Sequence, residues 1–202
     1  MLDISISEFG QLAIPRAACD IWDYLPVQLT DKIAPGHYWS VMPQAELFQF
    51  GIMSSSMHMA WIKCVSGKLA CYDRANYNPT IKSFPWPIAH TQKQILAIEA
   101  QARTILRIRA QYPAMTLEEL YHPYTMPAAL YDAHIALDAA VDQAYGRTQF
   151  DNSYSRIGFL LNLHTQLACL LDTNTPTGRD IDALEDMLYD RRSMASYANT
   201  WF

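Results

Sequence analysis

Long apolar runs are missing from this chain of 202 residues. No stretch approaches the roughly 18 residues that a membrane-spanning helix needs. The first ten residues also lack a basic start followed by an apolar core, so neither a transmembrane helix nor a signal peptide is expected. Cysteine is scarce. Cys19, Cys64, Cys71 and Cys169 show no C-x-x-C spacing, and the chain is too long for a disulfide-stapled mini-domain. Free thiols in a reducing, cytoplasmic compartment are the expectation. Positive charge is not in excess: the net charge is -5, which argues against a generic polyanion binder, because affinity for a phosphate backbone comes from Lys and Arg. Internal repeats and low-complexity tracts are absent.

What remains is the composition of a folded protein. Half the residues are hydrophobic and 17% are charged, so a buried core is expected, in one ordinary domain or two small ones. The charge is unevenly spread. From Gly51 to Lys93 the chain carries Lys63, Lys68, Arg74, Lys82 and Lys93 against Asp73 alone. After Lys93 it carries eight arginines and no lysine against thirteen acids. A basic face, if present, belongs to the middle.

The first part reads as short strands. Leu12–Arg16 suggests a strand ended by proline, and Tyr24–Leu29 an edge strand, since Pro26 cannot donate to a ladder. Tyr38–Met42 and Leu47–Phe50 read as two strands of a hairpin around a Pro43-Gln44 turn. A helix is expected from about Met53 to Val65. Ser54, Ser55 and Ser56 offer capping hydroxyls, Met53, Met57, Ala60, Trp61, Cys64 and Val65 form the apolar face, and His58 and Lys63 lie off it. Gly67 fits its end.

The rest reads as helices. Thr91–Gln111 has a buried stripe of Ile95, Ile98, Ala102, Ile105 and Leu106, with Arg103, Arg107 and Arg109 mostly on its wet side and Pro113 beyond its end. Thr116 and Glu119 form a capping box for a helical turn ending near Tyr121. Pro127 suits the first turn of a helix that buries Leu130, Ala133, His134, Leu137, Val141 and Tyr145 and closes at Gly146. Ser153–Leu171 is apolar nearly all round and is expected to be central. Asp180–Tyr189 reads as a short helix with acids in its first turn. The fold class expected is α+β: a short-stranded part over residues 1–88, then an all-helical part over 89–202.

At Phe50–Pro87 the sequence becomes specific. Phe50-Gly51-Ile52, Ser55-x-Met57-His58-Met59-Ala60-Trp61, Gly67-Lys68-Leu69 and Phe84-Pro85-Trp86-Pro87 occur in order. With Ile14-Pro15-Arg16 and Tyr24-Leu25-Pro26-Val27 upstream, and Ala110-Gln111-Tyr112-Pro113, Thr125-Met126-Pro127 and Leu137-Asp138-x-Ala140-Val141-Asp142 downstream, this order resembles the MmeI-like Type IIL restriction–modification proteins. These are single-chain DNA adenine methyltransferase–endonucleases. The resemblance covers roughly residues 12 to 165. It implies the end of a target-recognition domain followed by a helical C-terminal domain.

The catalytic parts of that family are not in the sequence. It contains no Asn-Pro-Pro-Phe or Asp-Pro-Pro-Tyr motif for methyl transfer, no Gly-rich loop for S-adenosylmethionine and no Glu-x-Lys nuclease pair. The resemblance therefore implies a specificity portion of an adenine-N6 methyltransferase system. Double-stranded DNA would be its partner, alongside a separate methyltransferase/endonuclease chain. S-adenosylmethionine would be bound in that partner or in a full-length chain, with no cofactor in this one. Where the family commonly has a Tyr-Arg-Tyr-Ser-like core, this chain has Asp73-Arg74-Ala75-Asn76: the arginine keeps its register and both tyrosines are lost.

Side-chain chemistry names the candidates. Arginine pairs bidentately with guanine, asparagine with adenine, and aspartate accepts from the cytosine amino group. Arg74, Asn76, Asn78 and Asp73 have those donors and acceptors, and Lys63, Lys68 and Lys82 suit phosphates. The rival account is a polar segment that touches nothing, within a structural or interaction module or a truncated remnant of such an enzyme, with no DNA binding of its own. Other constellations are weaker. His58 beside the serines lacks an orienting acid and a nucleophile elbow, so a structural histidine is the better account. His134 and Asp138, four apart on a helix, are half a metal site at most and read as helix surface polarity. The acids from Asp180 to Asp186 read as a solvated helix start, and Phe84 and Trp86 as packing where two subdomains join. No catalytic or metal residue is expected.

Overall fold

The computed structural model describes residues 10–15, 21–30, 39–65, 83–88 and 90–171. A three-stranded antiparallel sheet comes first: β1 (Gly10–Pro15), β2 (Gln28–Thr30) and β3 (Trp39–Ala45), in the order β2-β1-β3. The central strand β1 buries Leu12, Ala13 and Ile14, whose branched and small side chains suit a strand covered on both faces. The register pairs Leu12 with Leu29 on one side and with Met42 on the other. Helices follow, so the α+β class holds.

Three early expectations change. The strand after Pro26 is short and starts at Gln28, still on an edge; Tyr24–Val27 is irregular and buried. Pro43 and Gln44 do not turn the chain. They sit inside β3, where the register slips between Gly10↔Ala45 and Leu12↔Met42, and Gln44 takes φ 56°. This is a bulge on an edge strand, a site that tolerates proline and an unusual backbone angle as a turn does. Leu47–Phe50 is not a strand. It opens helix α1 (Leu47–Met53), with the Glu46 N–H donating to Gln49 Oε1 at 2.9 Å. Every residue from Phe48 to Met53 is buried, so no one-sided pattern marks the helix.

Helix α2 (Ser56–Val65) follows after a break rather than running on from Met53. Ser55 makes the break: its Oγ donates to the Ile52 carbonyl at 2.6 Å, and the His58 N–H faces that same Oγ at 3.5 Å. Met57, Ala60 and Trp61 are buried as expected, and Lys63 is exposed. His58 is fully buried, contrary to expectation, because the opposite face of α2 is covered too. Gly67, expected to end the helix, lies outside the described residues.

Helix α3 (Gln92–Arg109) is capped by Thr91, whose Oγ1 accepts from Gln94 N at 3.4 Å. Arg103 and Arg107 are exposed as expected, but Arg109 is buried. Helix α4 (Leu117–Tyr121) has the expected capping box: Thr116 Oγ1 accepts from Glu119 N, and Glu119 Oε2 accepts from Thr116 N at 2.7 Å. These bonds hold the Glu119 carboxyl below its ordinary pKa. Helix α5 (Ala128–Ala144) starts just after Pro127, buries the predicted residues and ends at Gly146, whose φ of 73° disfavours any side chain.

Helix α6 (Ser153–Leu171) has the predicted bounds but not the predicted place. Among its described side chains only Leu160 is fully buried, so it is peripheral. It packs against α2, while α3 packs against α5 and α1 against α3. Gly51 permits the α1–α3 approach: a Cβ there would lie 2.5 Å from Ile98 Cγ2. One hydrophobic cluster runs from Leu12 through Phe84 to Leu160, joining the sheet to the helices. The Asp180–Tyr189 helix expectation falls outside the described residues. No described helix is long and apolar enough to cross a membrane.

Candidate nucleic-acid interface

The candidate interface is built on α2 and the aromatic stretch that returns to it. Lys63 and Val65, near the end of α2, are exposed. Residues 66–82 lie outside the described residues, and the chain re-enters at Ser83. Phe84 is buried against α2, edge to face with His58 at 5.0 Å and Trp61 at 6.4 Å between ring centroids. Trp86 packs edge to face on Phe84, and the Pro85 carbonyl accepts from Tyr145 Oη at 2.8 Å. The predicted packing role of Phe84 is therefore what the structure contains. One aromatic cluster thus joins α2 to the stretch that re-enters at Ser83.

Of the predicted DNA contacts, Lys63 alone is described, exposed at the first stem. Lys68, Asp73, Arg74, Asn76, Asn78 and Lys82 lie outside the described residues.

A buried polar network ties the strand part to the helices. Arg109 Nη1 donates to the Val27 carbonyl at 2.7 Å, and its Nε donates to Tyr121 Oη at 2.9 Å. Its guanidinium also lies over the rings of Phe50 and Tyr121. No described carboxylate pairs with it. Since Arg109 donates to Tyr121 Oη, the phenol hydrogen points to His134 Nε2, 2.8 Å away, which places the imidazole hydrogen on Nδ1. Burial, reinforced by Arg109, pushes the His134 pKa well below the ordinary value, against a small opposing effect of the Ser54 backbone. Burial likewise raises Tyr121, with Arg109 opposing.

A second set joins α5 to α2. Asp138 Oδ1 accepts from Ser56 N at 2.8 Å, and Asp138 Oδ2 accepts from Tyr24 Oη at 3.1 Å. Tyr24 stacks on His134 with centroids 4.3 Å apart. Burial raises Asp138 to about 6, opposed by the Ser56 and Tyr24 bonds and by Arg156. Burial also raises Tyr24. His134 and Asp138 are thus not helix surface polarity: buried His134 and half-buried Asp138 form the joint between the two parts of the chain. Asp142, also buried, pairs with Arg156 at 2.9 Å and accepts from Phe150 N, which anchors α6.

His58 Nδ1 bonds the Met53 carbonyl at 3.0 Å, and burial lowers the ring to about 4. It is a structural histidine, as expected. No group of three or more potential metal ligands occurs among the described residues. The signals for Arg109, Tyr24 and Asp138 were present only as residue types; nothing in their spacing says that they meet.

Known proteins give this geometry its context. Residues 4–88 match the family model of the MmeI target recognition domain, and residues 89–172 match that of the MmeI C-terminal domain. The chain belongs to the MmeI family. The matched portions are its target recognition and C-terminal domains, not a catalytic domain. DNA methyltransferase A of Bacillus subtilis (strain 168) is 34% identical over 158 residues, covering 77% of this chain and 18% of that protein. The solved structure of the Type IIL restriction-modification enzyme MmeI in complex with DNA is similar over 82% of this chain and 22% of that one, with 34% identity and a TM-score of 0.69. The chain spans about a fifth of the length of either relative. Residues 173–202 fall outside both MmeI family matches.

Proposed function

We propose that this chain is the DNA-specificity portion of an adenine-N6 methyltransferase system of the MmeI type. It would recognise a duplex sequence and supply no chemistry of its own. The observation that carries this reading is the packing together of the described stretches on either side of residues 66–82. An exposed lysine stands at one stem, Phe84 packs back on Trp61 at the other, and base-reading side chains lie between. Arg74, Asn76, Asn78 and Asp73 take the base edges in this reading, and Lys63, Lys68 and Lys82 take phosphates. That MmeI itself was solved with DNA supports the reading by analogy.

The family matches support a division of labour. Residues 1–88 serve as the recognition portion and residues 89–202 as a helical support. Methyl transfer and S-adenosylmethionine binding belong to a methyltransferase portion on a separate or longer chain, in the cytoplasm where its DNA lies.

One observation favours a rival of a different class, an interaction module without DNA affinity. The net charge is -5, and Arg109 and Arg156 are committed to internal contacts. Fluorescence anisotropy with a duplex library at low salt, with and without a methyltransferase chain, separates the two. Sequence-selective binding in either arm is expected. Absence of binding in both arms leaves the interaction module.

A further inference from the structure

Helix α2 is capped from another part of the chain. It has no acid in its first turn. Ser55, whose carbonyl accepts from Met59 N, spends its hydroxyl on the Ile52 carbonyl at 2.6 Å and stands 3.5 Å from the His58 N–H. The Ser56 N–H is one of the amides that a helix start leaves without an internal partner. It donates to Asp138 Oδ1 at 2.8 Å. That carboxylate comes from α5, 82 positions away. It supplies the acceptor and the negative charge that a helix start favours. Its own place is fixed: the second oxygen accepts from Tyr24 Oη at 3.1 Å, Tyr24 is stacked on His134, and the neighbouring Leu137 is fully buried. Ser56 and Tyr24 lie in the match to the MmeI target recognition domain, and Asp138 lies in the match to the C-terminal domain.

We propose that Asp138 is a positioning residue for DNA contact: it fixes the start of α2 and, through that helix, the place of Lys63 near its far end. The inference rests on the DNA-specificity reading above. Lys63 is exposed in the last turn of α2. Along the axis it stands about 10 Å from Ser56. A hydrogen-bonded helix moves as one piece, so a shift at its start reaches Lys63. In sequence α2 leads on to residues 66–82, which hold the base-reading candidates. The sign of the effect sets this role apart. By its charge alone Asp138 can only repel a phosphate backbone, so removing it would tighten binding. As a positioning residue it strengthens binding, so removing it weakens binding.

The test uses the full chain and two readouts. The first is hydrogen exchange at the amides from Ser56 to Met59, with those of α3 as the control for folding. Asp138→Ala is expected to speed exchange at the start of α2 by roughly tenfold and to leave α3 unchanged. The second is duplex anisotropy over a range of salt, with and without a methyltransferase chain. Asp138→Ala is expected to bind roughly tenfold more weakly, with a salt slope lower by about one, as though Lys63 were lost. Adding Lys63→Ala to it is expected to cost no further affinity, because the contact is already gone. Asp138→Asn, whose amide oxygen can still accept from the Ser56 N–H, is expected to stay within about threefold of native in both readouts. Native-like exchange at the start of α2 in Asp138→Ala overturns the proposal whether or not DNA binds. Where the native chain binds, equal or tighter binding by Asp138→Ala also overturns it and leaves the DNA reading standing. Absence of binding by the native chain in both arms overturns that reading, and this role with it. If α3 exchange shows that Asp138→Ala does not fold, Tyr24→Phe decides: it releases the second oxygen and is expected to weaken binding severalfold, and native-like affinity overturns the proposal.

Discussion

Arg109 Nη1 reaches the carbonyl of Val27 at 2.7 Å, across 82 positions of sequence. One side chain on the last turn of α3 thereby holds the irregular stretch that leads into β2. The same guanidinium engages Tyr121 and lies over Phe50. The strand part, α1 and the later helices are fastened at this point.

Replacing Arg109 by alanine is expected to destabilise the chain by about 3 kcal/mol or more, because it strands a buried carbonyl and a buried phenol and leaves a cavity. Arg109→Lys is expected to recover little, since an ammonium cannot serve the Val27 carbonyl and Tyr121 Oη in the same fork. The urea midpoint of each variant measures this.

Gly51→Ala tests the approach of α1 to α3. The new methyl would lie 2.5 Å from Ile98 Cγ2, a branch on a stiff side chain, so the helices must shift. A loss of about 1–3 kcal/mol is expected. Combining it with Ile98→Ala removes the colliding atom, so the double variant is expected to lose less than the two singles together.

His58 and Asp138 titrate with opposite sign between pH 4 and 6.5. The His58 pKa is lowered in the folded chain to about 4, so its neutral form is favoured and stability falls as pH drops from about 6.5 towards 4. His134 acts in the same sense. The Asp138 pKa is raised to about 6, so the folded chain holds that proton and stability falls as pH rises from about 4 to 6. Asp138→Asn removes the second effect. Its stability is expected to rise more steeply between pH 4 and 6 than that of the native chain, by about 3 kcal/mol at most over the window. Denaturant midpoints across pH check it, and parallel profiles count against it.

On the proposed DNA role, Lys63→Ala is expected to weaken duplex binding similarly for all sequences and to lower the salt slope by about one. Arg74→Ala is expected to lower selectivity at one base position, by about 1–3 kcal/mol. Anisotropy titrations over a range of salt and of sequence distinguish the two. A phosphate-like response from Arg74 assigns it to the backbone instead.

The helices were legible where one face is apolar and the ends carry local signals. The Thr116–Glu119 box, the Pro127 start and the Gly146 stop each depend on neighbours within four residues. Helix α1 was not legible, because burial on every side leaves no period to read. The Pro43–Gln44 bulge shares its residue types with a turn. Of the candidate interface, the motif order was readable and the meeting of Trp61 with Phe84 was not.

The sequence by itself determined the class of the fold, most of the helix ends and the likeness to MmeI, because caps, periods and ordered motifs are local or linear. Tertiary structure decided what the polar residues do. Arg109 was assigned to water, and His134 with Asp138 to a helix surface; Arg109 and His134 are buried and Asp138 half-buried because a distant element covers each. Helix α6 shows the reverse case: its apolar composition suggested a central place, and packing left one face uncovered. Burial depends on which elements meet, and that depends on contacts tens of residues apart that no local pattern carries.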